Sequence, residues 1–510
     1  MYIIKSSSKY NNLFNFIISN FPFIICLISA ISAVTLCSKS SPLYPLNDWV
    51  DANCYLTVGK SIIKGLVPYR DLIEQKGPFL YFIHAFASLI SYKSFLGVYI
   101  LEVISASFFF YFSFKILELF CGKDSFYIIP LLAYAVFRSK AFAHGDSAEE
   151  FCFPFITYVL YNGLRTVRTQ KCSTIFEYFL IGLFASFVFW TKFTLCGIFV
   201  GWFIPLAIHL IIKKQPFFLI KIILLIIAGL IAGTIPWLIY FGVNHAIKDW
   251  LQIYIYDNIF KYSVIESNTN FIMRIINHLI GGLSITIIYY RLGLLLLGIG
   301  SIYCLLRKWF SEFVYTALML FTTFFFAFIG GVALKYYSLI ISPFICLGLI
   351  PIFSALASDN EKYDLFHKWY FIGFFIITTI VIYISTPNQY LMHYKKEELP
   401  QYKFAKIINS YPSTNQTLLN YGFLDGGFYT ATGIIPNCKA FCLINMSRDE
   451  LMLIQNQHIQ NGLSSFIVTR DSELDDIDRN SLYDKIASSE FYFEEDIHTY
   501  YLYKLKSLTN

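Results

Sequence analysis

Charge is scarce in this chain: Asp, Glu, Lys and Arg make up only 14% of its 510 residues, against roughly 25% in soluble globular domains. With 56% hydrophobic residues and a mean hydropathy of +0.57, an ordinary soluble domain is excluded and a polytopic membrane protein is indicated. Other absences narrow the chemistry. The chain has no Gly-x-x-x-x-Gly-Lys-Ser/Thr phosphate loop, no Gly-x-Gly-x-x-Gly between strand and helix and no Gly-x-Ser-x-Gly elbow, so nucleotide-driven transport and nucleotide-sugar use have no support. Its eleven cysteines show no metal-site spacing, and most lie in apolar runs (Cys26, Cys37, Cys152, Cys196, Cys304, Cys346), where a thiol behaves as a small hydrophobe. Cys438 and Cys442 lie in a polar region, where they can pair or remain free thiols. Repeats, low-complexity tracts and long linkers are missing too, and the net charge of +6 calls for no nucleic-acid partner.

What is abundant is apolar length. A bilayer crossing needs about twenty apolar residues, or slightly fewer with adjustment at the flanks. Segments 21–37, 78–92, 94–120, 151–164, 176–191, 193–212, 217–241, 279–305, 313–331, 334–357 and 369–386 fit, giving eleven expected crossings. The first follows Lys5 and Lys9 and has the outline of a signal peptide; it is read as a retained span, because its removal would detach the loop that follows. Basic residues orient the rest: with the N-terminus cytoplasmic, Arg165, Arg168, Lys171, Lys213, Lys214, Arg307, Lys308, Lys362 and Lys368 all fall inside, as the positive-inside bias requires. Loops 38–77 and 242–278 and the tail from Thr386 fall outside. Residues 126–143 are apolar for only about twelve positions before Arg138, which suits a half-depth helix rather than a crossing.

After the last span the composition turns polar. Residues 387–510 carry helical signals over 401–410, 447–461 and 480–487 and β-rich runs over 417–421, 439–444, 464–469 and 499–505, the pattern of a small extracytoplasmic α/β domain. The expected fold class is thus an α-helical polytopic membrane protein, residues 1–386, with this domain appended.

The loop 44–82 is the most informative stretch. It gathers Asp48, Asp51, Arg70, Asp71, Glu74 and Lys76 between two apolar segments, where a mere connection could be far shorter. A solvated loop without chemistry is the plain alternative, and Asp51 would also serve as a cap for a helix over 52–64. An Asp pair, a stretch ending in Gly65-x-x-Pro68-Tyr69, and Glu74-Gln75-Lys76-Gly77-Pro78 leading into the next apolar segment together resemble the first outer loop of the C-type (GT-C) integral-membrane glycosyltransferases. The protein mannosyltransferase and aminoarabinose transferase relatives belong to that group. The run Asp51-Ala-Asn-Cys-Tyr55 is similar to the Asp-x-x-x-Tyr of bacterial members, and Lys76-Gly77-Pro78 stands where many have Lys-Pro-Pro.

The resemblance implies roles. Asp51, with Asp48 as competitor, would act on an acceptor hydroxyl. Lys76, Arg70 and Lys335, the last in a Lys335-Tyr336-Tyr337 group with Pro343 following, would face the phosphate of a polyprenyl-phosphate-linked sugar. Glu74, Asp146, Glu149 and Glu150 would support the site, or with the loop carboxylates hold a divalent cation such as Mg or Mn through oxygen ligands. Snorkelling lysines and belt tyrosines are the ordinary accounts of Lys76, Lys335, Tyr336 and Tyr337, and Lys192 lies at a similar depth. The implied activity moves a sugar from the lipid donor to an envelope glycan, lipid or protein on the outer face of the cytoplasmic membrane. A transporter or flippase of lipid-linked sugars is the first rival, but it would place charge near mid-span, where this chain has almost none. A sensor with a ligand-binding tail leaves loop 44–82 unexplained, and a polysaccharide polymerase or ligase is a close enzymatic alternative.

Overall fold

The computed structural model describes residues 3–261, 271–330, 333–356, 371–411, 416–446, 448–474, 482–493 and 496–506; Lys362 and Lys368 lie outside them. Helices form where the apolar runs predict them: α1 (Ile3–Cys37), α2 (Val50–Ile63), α3 (Pro78–Ile90), α4 (Leu96–Cys121), α5 (Ile129–Phe137), α6 (Ala148–Thr169), α7 (Ile175–Lys192), α8 (Gly197–Ile212) and α9 (Pro216–Val243), followed by helices at Phe271–Tyr289, Arg291–Leu306, Phe310–Phe328 and Phe371–Ser385. Among the described residues seven segments are long and apolar enough to cross a membrane, against the eleven expected. Their outer faces are apolar as well: on α9, Phe217, Leu224, Ile231 and Leu238 recur every seventh residue and are all exposed, a stripe suited to a lipid environment.

The course of the chain departs from the sequence reading at two neighbouring segments. Helices α1 and α4 run antiparallel, since Thr35 meets the Tyr99 hydroxyl at 2.8 Å near the tail end of the bundle, while Phe23 packs on Tyr111 at 5.7 Å toward the opposite end. Helix α4 therefore starts at the tail end and finishes at the other, where Phe126 packs on Phe21. The chain then returns through α5, because the Asn388 amide donates to both the Cys37 and Ala143 carbonyls at 2.7 Å. So the stretch expected to stop half-way traverses the bundle, and 78–92 does not. Helix α3 begins and ends at the tail end: Gly77 touches the end of α7, Tyr92 lies beside Lys60 and Lys64 of α2, and Lys93 packs on Gly433 of the tail. Its thirteen residues fall short of a crossing, and its buried face is used against α2, α4 and α7. The expected span 279–305 is broken at Tyr290, whose hydroxyl bonds Ser342 at 2.8 Å.

The tail builds a four-stranded sheet from β1 (Leu418–Asn420), β2 (Phe466–Arg470), β3 (Tyr483–Phe493) and β4 (Asp496–Leu505), in the order β1-β2-β4-β3 with only β1 and β2 parallel. The helix expected at 480–487 is replaced from Tyr483 onward by β3, and the strand expected at 439–444 is irregular. The β3–β4 hairpin carries aromatic and β-branched cross-strand partners along ten residue pairs, and such pairing overrides a short helical signal.

Helix α2 lies between α3 and the tail, and its seam with the tail is polar and buried. Thr57 donates to Asp425 at 2.6 Å, Thr430 meets Asn53 at 3.2 Å and Lys60 donates to the Tyr429 carbonyl at 3.1 Å. Burial pushes Lys60 down to about 7 against the pull of Asp425, and Lys93 adds to the depression. An unfolded lysine titrates near 10.4. Between the two values the unfolded chain holds a proton that the folded chain has released, so this group makes stability rise with pH from about 7 to about 10. Below pH 7 the penalty of a buried ammonium is fully present. Thermal midpoints of the solubilised protein should climb over that window, and Lys60→Met should flatten the climb; parallel curves for the two proteins would refute it.

The position of α3 is testable through the single exposed cysteine among the described residues, Cys172, at the end of the bundle opposite the tail. On intact cells an impermeant maleimide should label Lys93→Cys and leave Cys172 unlabelled until the membrane is opened. Labelling of Lys93→Cys only after opening would mean that α3 crosses.

Candidate active site

Two short backbone segments build the site by touching. Gly77 donates its N–H to the Thr191 carbonyl at 3.1 Å, and a Cβ on Gly77 would stand 1.9 Å from the Trp190 carbonyl oxygen. Only glycine permits this approach, and it brings Lys76 beside Lys192, the last residue of α7. Glu74 accepts from the Lys76 N–H at 3.0 Å and from the Tyr81 hydroxyl, while Tyr69 donates to the Lys76 carbonyl at 2.6 Å. Lys76 is thus held through its backbone, and its ammonium reaches the neighbourhood of Asp51.

Asp51 occupies the first turn of α2 and makes no cap; the helix N-terminus has no side-chain capping bond. Its Oδ2 instead accepts from Tyr336 at 3.1 Å and more weakly from Tyr55 at 3.4 Å, and lies 4.0 Å from the Lys76 ammonium. Among the described residues its Oδ1 accepts no hydrogen bond. Burial first, then Asp51, Tyr336, Glu74 and Glu149, hold the Tyr55 hydroxyl well above its usual range, so it remains a donor. Trp49 packs edge-on to Tyr336 at 5.2 Å and stacks on His144 at 5.5 Å, walling the carboxylate on one side.

A second pair stands beside the first. Glu149, in the first turn of α6, accepts from Lys192 at 2.5 Å, and the same ammonium lies 3.3 Å from the centre of the Tyr337 ring, a cation–π contact. Lys76 and Lys192 open onto a cavity of about 450 Å³ whose other lining includes Arg274, His278, Asn258, Tyr254, Phe193, Phe260, Ile329 and Tyr337. Its walls are mostly apolar, and Lys76, Lys192 and Arg274 bring positive charge to them, which suits an amphiphile with an anionic head. Arg274 and His278 were not singled out in the sequence; the available signal was an arginine and a histidine four apart, hence on one helix face, opening an otherwise apolar run.

Other expected residues lie elsewhere. Asp48 is buried in an ion pair with Lys39 at 2.6 Å, with Tyr390 alongside. Arg70 is engaged by Asp71 and by the Asn244 carbonyl at 2.7 Å, outside the cavity lining. Lys335 does not line the cavity either, although its neighbours Tyr336 and Tyr337 reach the site. Asp146 is buried against His84 at 2.9 Å, and its N–H donates to Glu102 at 2.7 Å and Glu150 at 3.1 Å; burial pushes the Asp146 carboxyl up, with His84 pulling it down. With Glu149 turned onto Lys192 and Glu150 turned inward, these carboxylates form no common oxygen cage for Mg or Mn. Among the described residues no three His, Cys, Asp or Glu side chains gather where a metal could be held.

No family model and no curated protein matches the chain. Solved structures do, among them two of ArnT. ArnT from Cupriavidus metallidurans bound to undecaprenyl phosphate is 10% identical, with a TM-score of 0.58 over 94% of this chain and 97% of that one. The same protein in the apo state is 11% identical, with a TM-score of 0.56 over 97% and 98%. At this identity the likeness carries the fold alone: the chain shares the fold of the ArnT structures over nearly its whole length.

Proposed function

We propose that this protein is an inverting glycosyltransferase that takes a sugar from a polyprenyl-phosphate lipid and delivers it to a hydroxyl of an envelope acceptor, on the outer face of the cytoplasmic membrane. The observation that carries the reading is Asp51, 4.0 Å from Lys76, which with Lys192 and Arg274 lines a largely apolar cavity. The ArnT structure with undecaprenyl phosphate supports a lipid phosphate as the group these cations receive.

In this mechanism the isoprenoid chain lies along Phe193, Tyr254, Phe260 and Ile329, and its phosphate rests on Lys76, Lys192 and Arg274. Tyr336 and Tyr55 fix the Asp51 carboxylate through Oδ2, leaving Oδ1 to take the proton of the acceptor hydroxyl. The acceptor oxygen attacks the anomeric carbon from the face opposite the phosphate, the bond from that carbon to the phosphate oxygen breaks, and the cations stabilise the charge that develops on the leaving phosphate. Glu149 holds Lys192 in position before the donor arrives. Asp48 is the weaker candidate for the base, since its partner Lys39 already neutralises it in a buried pair.

Asp51→Asn preserves size and most hydrogen bonding but cannot accept a proton, so transfer should fall by about a hundredfold to ten-thousandfold at unchanged membrane levels. Asp48→Asn should act mainly on stability, since it leaves Lys39 buried without its carboxylate. Near-normal transfer by Asp51→Asn with loss in Asp48→Asn would move the base to Asp48, and near-normal transfer by both would defeat the mechanism.

The cations predict a different signature. A hydrogen bond to a charged group contributes roughly 1.5–3 kcal/mol, so Arg274→Gln should raise the KM for the lipid donor by about tenfold to a hundredfold. The rate at saturating donor should change less. Lys335→Ala should move donor KM less than Arg274→Gln; the reverse order would restore Lys335 as the principal phosphate contact.

A further inference from the structure

We infer that Cys54 and Cys442 are the two halves of a disulfide that staples the tail domain to the catalytic helix. Their sulfurs lie 3.5 Å apart although the residues are 388 positions apart in sequence. Among the described residues no other two thiols are recorded within contact distance. Cys54 stands on α2 three residues after Asp51, one turn along the same helix, and Cys442 lies in the tail segment that covers it. Both side chains are buried, at 1% and 0% exposure. Flanking contacts fix the two backbones: Thr57 to Asp425 and Thr430 to Asn53 on either side of Cys54 along α2, and the Leu443 N–H to the Phe423 carbonyl at 2.9 Å beside Cys442.

A covalent S–S bond is about 2.05 Å long, so the sulfurs must close by roughly 1.5 Å, a movement within reach of side-chain rotation at the two cysteines. The tail lies outside the cytoplasm on the distribution of basic residues, and disulfides form and persist in such compartments. In the bonding step, two thiols react with the disulfide of an exported thiol oxidase. The bond between Cys54 and Cys442 forms, the oxidant's S–S bond breaks, and two electrons with two protons pass to the oxidant's sulfurs, leaving it as a dithiol. Burial pushes both thiols up, so exchange takes place while the seam is still open during docking, and the closed seam then shelters the bond. The pairing differs from the Cys438–Cys442 bridge that sequence proximity suggests: Cys438 is also buried, but the thiol facing Cys442 at contact distance is that of Cys54.

The sequence makes the test clean, because Lys439 separates Cys438 from Cys442. The full-length protein would be purified from membranes with free thiols blocked in denaturant at low pH, then digested with trypsin without reduction. The expected product is peptide 40–60 joined to peptide 440–448, released by reduction, retained in Cys438→Ser and absent from Cys442→Ser. Alkylated thiols at both Cys54 and Cys442, or peptide 407–439 joined to 440–448, would overturn the inference. The measurement needs no transfer assay, so its failure leaves the glycosyltransferase reading standing; the compartment on which it depends is checked separately by labelling Lys93→Cys.

Discussion

The contact between Gly77 and the end of α7 is the constraint on which the site depends. A backbone N–H meets a backbone carbonyl with no side chain between them, so the loop that carries Lys76 and the helix that ends in Lys192 cannot shift independently. A proline at this position, as in the Lys-Pro-Pro of many of the glycosyltransferases that this loop resembles, could not donate that hydrogen bond. Glycine keeps the lysine in place by a different device, and the departure from that Lys-Pro-Pro pattern thereby has a local physical cause. The remaining anchors, Glu74, Tyr69 and Tyr81, act on the same short segment from the side of α3. Together these anchors determine where the Lys76 side chain begins and hence what its ammonium can reach.

The second support is the seam between α2 and the tail. Asp425 accepts from Thr57, from Asn420 at 3.0 Å and from the Gly427 N–H at 2.9 Å, so a buried carboxylate is almost fully served with donors. Buried polar groups cost stability when a partner is lost, and satisfied ones specify a single arrangement. A polar seam therefore fixes the register of α2 against the tail more sharply than an apolar one would. That matters because Asp51, Asn53, Cys54, Tyr55 and Thr57 share one short helix: residues 53, 54 and 57 face the tail while 51 and 55 face Lys76. Rotation of the helix would spoil both faces at once.

Much of this was legible in the sequence. Apolar length identified most helices, and the loop 44–82 announced itself by charge in an otherwise apolar chain. Two things were not. Segments 78–92 and 126–143 are both short and apolar, so hydropathy alone cannot decide which one crosses; the choice is made by contacts with α1, the tail and α7 that are distant in sequence. Part of the cavity lining was hidden for a related reason. Arg274 and His278 open a helix far from loop 44–82 in sequence, whereas Arg70, nearer in sequence, is taken by Asp71.

The acidic run Asp146, Glu149 and Glu150 shows how finely such assignments divide. Successive residues of a helix point about 100° apart, so Glu149 and Glu150 cannot both face one cavity. Ser147 caps α6 by accepting from the Glu150 N–H at 3.2 Å, which sets the helix phase. In that phase Glu149 meets Lys192 while Glu150 turns toward Glu102 and the Asp146 N–H. Asp146 itself adopts a positive φ of 61°, strain that a small polar residue tolerates and that aims its N–H at Glu102 and Glu150. The inner carboxylates, joined by His84, thus act as the mould for the turn that presents Glu149, and of the acidic residues that look alike in sequence this is the one delivered to the cavity's lysine.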